Sequence, residues 1–190
     1  MSELFDWSRK LGEAADWIKT RYEHIGRKTG APFLAVVYPP EAERAVYKEC
    51  RTLFSSLGDE FAIKHIDVLA VTMLAVEELG CDNIVQTIID PMPGANPESD
   101  LGYLWVTAIS QKVSEQLSQS DLQKAVVILE HLAALYPATG PENLMQHLWE
   151  TSQEALKIPV LFLIPGTIVG SRVYSFLNLR EEFMYRGDIL

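Results

Sequence analysis

Cysteine is scarce in this sequence of 190 residues: only Cys50 and Cys81 occur, and neither has a histidine close to it along the chain. Such a pair supplies neither a disulfide framework nor the closely spaced Cys and His ligands of a zinc site. Cys50 falls on the apolar stripe of a predicted helix, where a buried thiol behaves as a small hydrophobic side chain. We therefore expect no disulfide and no bound metal.

Clusters of basic residues and long hydrophobic runs are also missing. The net charge of −10 and the pI of about 4.8 repel phosphate backbones, so direct binding of nucleic acid is disfavoured. No stretch approaches the roughly 20 apolar residues of a membrane span, and the N-terminus lacks the pattern of a signal peptide. We expect a cytoplasmic protein that does not contact membranes.

Motifs of catalysis are absent as well. The sequence has no phosphate loop ending in Gly-Lys-Ser/Thr, no Rossmann fingerprint, no Gly-x-Ser-x-Gly and no His-Glu-x-x-His. The four histidines are isolated from one another. Only His131, beside Glu130 at the end of a predicted strand, has a position that suits catalysis, and a structural role in hydrogen bonding is favoured for it. We expect a non-enzymatic protein without catalytic residues or cofactor.

Short apolar runs are the main positive feature. They cover residues 33–38, 61–66, 125–129 and 158–167, and helical spacing of apolar residues separates them. The last run is typical of a strand buried on both faces, and Pro165-Gly166 is predicted to stop it with a sharp turn. This alternation predicts an α/β fold, a three-layer sandwich around a mostly parallel sheet of about four strands.

The predicted layout resembles P-loop and Rossmann-like domains but lacks their nucleotide-binding loop. We expect a single α/β domain over residues 1–190, with an N-terminal helix within residues 1–30. Further helices are predicted at 41–57, 68–79, 101–117 and 141–154. Residues 90–100 carry three prolines and a glycine and predict an exposed loop, and residues 165–190 form a C-terminal segment.

Prolines stand at the predicted strand ends where a phosphate site needs glycines. Tyr38 is followed by Pro39-Pro40, which removes two backbone N–H donors. The nearest approach to a phosphate loop is the segment from Gly166 to Arg172, which lacks the lysine and the spacing, so a turn into a helix N-terminus explains it more simply. A nucleotide- or nucleic-acid-binding domain with a non-standard site near Gly166 to Arg172 is the alternative function.

Aromatic, proline and guanidinium groups at the strand ends and in the tail match the side chains enriched at protein interfaces. Tyrosine beside proline also commonly closes a loop, so binding and structural roles both stay open for each of them. The candidate partner-binding residues are Tyr38, Tyr136, Pro165, Gly166, Tyr185 and Arg186.

Three motifs in the second half of the chain carry a family resemblance. They are Val126-Val-Ile-Leu-Glu130 with Leu135-Tyr136-Pro137, the proline-led run Ile158-Pro-Val-Leu-Phe-Leu-Ile-Pro-Gly166, and Phe176-Leu-Asn-Leu with Met184-Tyr185-Arg186. In this order they resemble the BrxB family of bacterial BREX phage-defence systems. The chain departs from the family at Thr167-Ile-Val-Gly170, where members have Asp-Gly and a leucine-rich stretch, and at Phe183-Met184, where they tend to have Asn-Tyr.

The resemblance implies a small, non-enzymatic assembly component of an antiviral defence complex. Its implied partner is the alkaline-phosphatase-like protein PglZ, and the ATPase BrxC and the DNA methyltransferase PglX are further components of the same system. We therefore expect a protein–protein interaction role in a bacterial defence complex.

Overall fold

The structure is a computed structural model that describes residues 6–118, 124–152 and 156–190. Helices and strands alternate in the first part of the chain, three helices follow one another in the middle, and the last four elements are strands. The helices are α1 (Asp6–Arg21), α2 (Glu43–Ser55), α3 (Val68–Leu79), α4 (Cys81–Ile89), α5 (Pro97–Ser118) and α6 (Pro141–Ser152). The strands are β1 (Phe33–Tyr38), β2 (Phe61–Asp67), β3 (Lys124–Glu130), β4 (Val160–Gly170), β5 (Val173–Phe176), β6 (Arg180–Phe183) and β7 (Asp188–Ile189).

The predicted mostly parallel sheet is confirmed. Five strands lie in the order β2-β3-β4-β1-β7, and each pairs in parallel with its neighbours. The sheet is open, and β5 and β6 extend it by antiparallel pairing at the far end of β4. Because parallel neighbours need a crossover connection, helices must pack on its faces.

Alternation along the strands divides the core into two layers. On β1, Phe33 and Val37 point to the face covered by α3, α5 and α6, whereas Leu34 and Val36 point to the face covered by α1 and α2. The side chains of successive strand residues point to opposite faces of a sheet, so an uninterrupted apolar strand supplies both layers. The fold is therefore the predicted α/β arrangement with helices on both sides.

The predicted end of the central strand at Pro165-Gly166 is wrong, because β4 continues to Gly170. Pro165 pairs with Tyr38 of β1, and its carbonyl oxygen accepts the N–H of Leu177 at 2.8 Å. Gly166 approaches β5 so closely that a Cβ atom would collide with the carbonyl oxygen of Ser175. The glycine thus lets one strand pass from parallel pairing with β1 to antiparallel pairing with β5.

The middle of the chain holds more helix than predicted. Gly80 ends α3 with a positive φ of 84°, and α4 begins at the next residue. The exposed loop predicted at residues 90–100 is shorter than expected, because Pro97 starts α5 and Asn96 accepts the N–H of Ser99. Proline at the first position of a helix suits both its fixed φ and its missing N–H. Residues 153–154, predicted as the end of a helix, lie outside the described residues.

A buried carboxylate fastens the C-terminal strands to α6. Glu182 Oε2 accepts the backbone N–H of Glu142 at 2.9 Å and the hydroxyl of Tyr174 at 2.8 Å. Its other oxygen accepts from the guanidinium of Arg180 at 2.7 Å. Since the N–H groups in the first turn of a helix have no partner within the helix, this carboxylate also caps α6.

None of the helices in the described residues is long and apolar enough to cross a membrane.

The strand switch at Gly166 predicts a stability effect. We expect Gly166→Ala to lower the free energy of unfolding by about 1–3 kcal/mol, because the new methyl group must displace the β5 backbone. The control is Gly12→Ala in α1, where a Cβ atom meets nothing within 4 Å, so helix propensity alone should raise stability by up to about 1 kcal/mol. Urea unfolding measures both, and a Gly166→Ala protein as stable as the wild type would contradict the account.

Candidate functional site

Three of the six residues predicted to bind a partner are buried. Tyr38 lies in the core, where its hydroxyl is 3.0 Å from that of Tyr47 and 3.4 Å from Glu43 Oε2. Pro165 and Gly166 are buried within β4. In this structure these three residues offer no surface to a partner, and their observed contacts are internal.

The other three predicted residues are exposed, but they lie at opposite ends of the sheet. Tyr136 is 43% exposed and follows the carboxyl end of β3. The guanidinium of Arg186 lies 5.1 Å from the ring centre of Trp149 and beside Gly30, which precedes β1. The strands β1 and β3 run in the same direction, so the fold does not bring the six residues into one site.

Tyr185 and Arg186 belong to a small aromatic surface. Tyr185 packs edge-on against Phe183, with ring centres 4.7 Å apart. These side chains, with Met145 and Trp149 of α6, line a groove of about 360 Å³. Because tyrosine and arginine are common interface anchors, the groove keeps Tyr185 and Arg186 as candidates for contact with another protein.

A polar cluster lies at the carboxyl ends of β2 and β3. Its centre is Glu130, which is 1% exposed. Glu130 Oε2 accepts from Arg51 of α2 at 2.6 Å, and Oε1 lies 2.8 Å from His65 Nδ1 of β2. Burial alone would raise the pKa of Glu130, but the hydrogen bonds to His65 and Arg51 outweigh it and lower the pKa to about 2.

His131 extends this cluster toward α2. It has a left-handed backbone conformation, with a φ of 59°, and its N–H donates to the Tyr47 hydroxyl at 2.8 Å. Its Nδ1 lies 2.9 Å from Asp67 Oδ1, without the alignment of a hydrogen bond. Burial raises the pKa of Tyr47 to about 12, so the phenol stays protonated in this link.

The cluster holds one helix to two strands. Both oxygens of Glu130 are occupied by Arg51 and His65, so the carboxylate ties α2 to β2 and β3. The sequence singles out Glu130 and His131 as neighbours at a strand end but gives no such signal for Tyr47, Arg51 and His65. The four-residue spacing of Tyr47 and Arg51 places them on one face of α2, which is the signal that links them. Across residues 6–118, 124–152 and 156–190, no group of three His, Cys, Asp or Glu side chains could hold a metal ion.

The crevice between the carboxyl ends of β1 and β4 is where open α/β sheets usually bind ligands. Trp7, Lys10, Pro39, Thr167 and Asn178 are among the residues that line it, around about 680 Å³. Lys10 is paired with Asp6 at 3.1 Å, and the Thr167 hydroxyl donates to Asn178 at 2.7 Å. These polar side chains thus already have partners within the chain.

The segment from Gly166 to Arg172 is the end of β4 and a hairpin turn, so the predicted turn into a helix N-terminus is wrong. Arg172 Nε donates to the carbonyl oxygen of Met184 at 2.7 Å, and Nη2 donates to that of Gly187 at 3.1 Å. The guanidinium therefore holds the C-terminal segment in place. Nothing in this geometry favours a phosphate site between Gly166 and Arg172.

Exposed large apolar side chains concentrate on α3, α4, α5 and the loop before α5. Fifteen large apolar side chains in the described part of the chain are strongly exposed, and nine of them fall between residues 69 and 103. These nine, which we call the α3–α5 surface, are Leu69, Met73, Leu74, Leu79, Val85, Ile88, Ile89, Met92 and Tyr103. Single exposed apolar residues are common, whereas contiguous exposed apolar patches often mark interaction sites.

Comparison of the chain with protein-family models, with curated proteins and with solved structures gives no significant match in any of the three. The resemblance to the BrxB family therefore rests on the sequence motifs alone.

The lowered pKa of Glu130 predicts a pH-dependent stability difference between the wild type and Glu130→Gln. The carboxylate contributes stability above its ordinary pKa of 4.5, and this contribution is lost as the pH falls toward the folded value of about 2. We expect Glu130→Gln to lower the free energy of unfolding by about 1–3 kcal/mol at about pH 5, and the gap to narrow at about pH 3. Both pH values lie below the ordinary pKa of histidine, so mainly carboxyl groups change protonation state between the two measurements.

The matched control is Glu115→Gln, which removes an exposed carboxylate whose partner, Lys112, is equally exposed. Its effect should stay within about 0.5 kcal/mol at both pH values. Urea unfolding at the two pH values provides the measurement. A Glu130→Gln gap that is absent at about pH 5, or unchanged at about pH 3, would show that the ionised carboxylate does not stabilise the fold.

Proposed function

We propose that this protein is a non-enzymatic interaction component that binds a larger protein and helps to assemble a BREX-like phage-defence complex. The observation that carries the proposal is the α3–α5 surface, where large apolar side chains face solvent. Exposing such side chains costs free energy that burial against a partner recovers. A binding role therefore explains why the apolar side chains of the α3–α5 surface are exposed and not packed in the core.

The class of partner follows from charge and from the family resemblance. The net charge of −10 repels nucleic acid, whereas complementary charges on a protein partner favour association. The resemblance to the BrxB family points to an alkaline-phosphatase-like protein of the PglZ type as that partner. Other components of the same defence system would then join through this pair.

Co-elution tests this function directly. We expect the protein and a PglZ-like protein of the same defence system to elute together in gel filtration at micromolar concentration. A PglZ-like protein from an unrelated defence system is the specificity control. Separate elution of the cognate pair at that concentration would remove PglZ as the partner.

The exposed aromatic tail provides a second test of the same complex. We expect Tyr185→Ala with Arg186→Ala to weaken binding of the PglZ-like protein about fivefold or more, the factor that corresponds to 1 kcal/mol. Isothermal titration calorimetry measures the affinity, and Leu179→Ala, in the turn before β6, is the control for an exposed apolar residue outside the groove. Unchanged affinity would assign Tyr185 and Arg186 a structural role only.

A further inference from the structure

The helix α4 is amphipathic, but its apolar stripe is not covered. Ile84 and Ile88 follow one another at a spacing of four residues, as do Val85 and Ile89 beside them. Within residues 81–89, all of which the structure describes, no residue is buried, and Ile89 is 71% exposed. Helices this short are marginal without tertiary packing, and an amphipathic helix normally buries its stripe. The stripe of α4 therefore lacks the cover that would stabilise it.

A groove runs between α4 and the first turns of α5. Its volume is about 540 Å³. The apolar side chains along it are Leu79, Ile84, Ile88, Leu101, Tyr103 and Leu104. A helix of nine residues is about 13 Å long, so the groove has room for about two turns of a partner helix. Apolar grooves between helices commonly receive an amphipathic helix that anchors through residues spaced three and four apart.

The sequence around this groove is acidic throughout. Between His65 and Lys112 the chain has no lysine, arginine or histidine. The same stretch carries seven acidic residues, Asp67, Glu77, Glu78, Asp82, Asp90, Glu98 and Asp100. All but Asp67 are exposed, and Asp100 itself lines the groove. The other five exposed acidic residues each lie within two residues in sequence of one that lines the groove. We call these six residues the acidic surround, and the same segment contains no cation to neutralise it.

This charge selects among the possible occupants of the groove. A second copy of the chain would bring one acidic surround against another, which like-charge repulsion disfavours. Nucleic acid and anionic lipid are disfavoured for the same reason. A partner segment with apolar anchors and flanking lysine or arginine matches both the apolar lining of the groove and the acidic surround.

We propose that the groove between α4 and α5 binds a basic amphipathic helix of the partner protein. The proposal rests on the proposed function, because it names the chemistry of the surface that the partner presents. Leucine- or isoleucine-like anchors enter between Ile84, Ile88 and Leu101, and cations flanking the anchors face Asp90 and Asp100.

The test uses the full chain and two synthetic peptides of about 18 residues, a length at which an isolated helix forms. One peptide has a leucine stripe at helical spacing with lysine elsewhere, and the other contains the same residues in an order that breaks the stripe. Fluorescence anisotropy should show binding of the striped peptide at least about tenfold tighter than that of the scrambled one. Equal binding of the two peptides would show that net charge alone explains the attraction, and this result would overturn the proposal.

Two pairs of variants locate the binding. Ile88→Ser with Ile89→Ser should weaken binding of the striped peptide at least about tenfold. The control pair, Val169→Ser with Leu179→Ser, changes exposed apolar residues at the end of β4 and before β6 and should leave binding unchanged. Asp90→Asn with Asp100→Asn should weaken it about fivefold at low salt. The matched control, Asp16→Asn with Glu23→Gln, changes the same charge at or near α1 and should have no effect beyond about twofold.

The remaining outcomes separate this proposal from the proposed function. Peptide binding without co-elution of a PglZ-like protein would uphold the groove and remove that partner. If the variant Ile88→Ser with Ile89→Ser co-elutes with the PglZ-like protein as the wild type does, that partner is upheld and the groove proposal is overturned. The chain alone is also tested for dimerisation and for binding to phosphatidylglycerol vesicles. If Ile88→Ser with Ile89→Ser abolishes either association, a second copy or a lipid surface occupies the groove and the proposal is overturned.

Discussion

The pairing of β4 is the constraint on which the rest of the structure depends. This strand bonds to β3 on one side and to β1 on the other, and both of its faces are buried as far as Gly166. From that glycine onward the same strand pairs with β5, so it joins the parallel sheet to the antiparallel strands β5 and β6. A strand buried in this way must be apolar along its length. The apolar run at residues 158–167, from which the sheet was predicted, thus belongs to the strand that joins the parallel and antiparallel parts of the sheet.

Buried carboxylates fix the periphery to this centre. Glu130 ties α2 to the ends of β2 and β3, and Glu182 ties β6 to the first turn of α6. Each accepts from a guanidinium, Arg51 or Arg180, which offsets the cost of placing a charge out of water. The acidic residues around α4 are different, because they are exposed in a stretch that carries no cation. That contrast assigns Glu130 and Glu182 to stability, whereas the recognition role of the acidic surround of α4 is our proposal.

Local pattern predicted β1 to β4 and most helices, because an apolar run or a helical stripe encodes burial directly, but it did not predict the short strands β5, β6 and β7. It placed the end of β4 wrongly, since Pro165 and Gly166 usually stop strands and only the nearby carbonyl of Ser175 shows why glycine is needed there. The cluster at Glu130 joins residues 51, 65 and 130, whose contacts depend on sheet order and so have no local signal. The helix α4 was not predicted, although its apolar spacing is present in the sequence, and its exposure depends on where α3 and α5 pack.

Hydrogen–deuterium exchange on the free chain and on a complex with a PglZ-like protein tests whether a partner covers α4. Free α4 should exchange quickly, because its nine residues have little tertiary packing to protect them. Binding should slow exchange in residues 81–89 and in the first turns of α5, while the hairpin of β5 and β6 changes little. A stable complex in which α4 exchanges as fast as in the free chain would contradict the account.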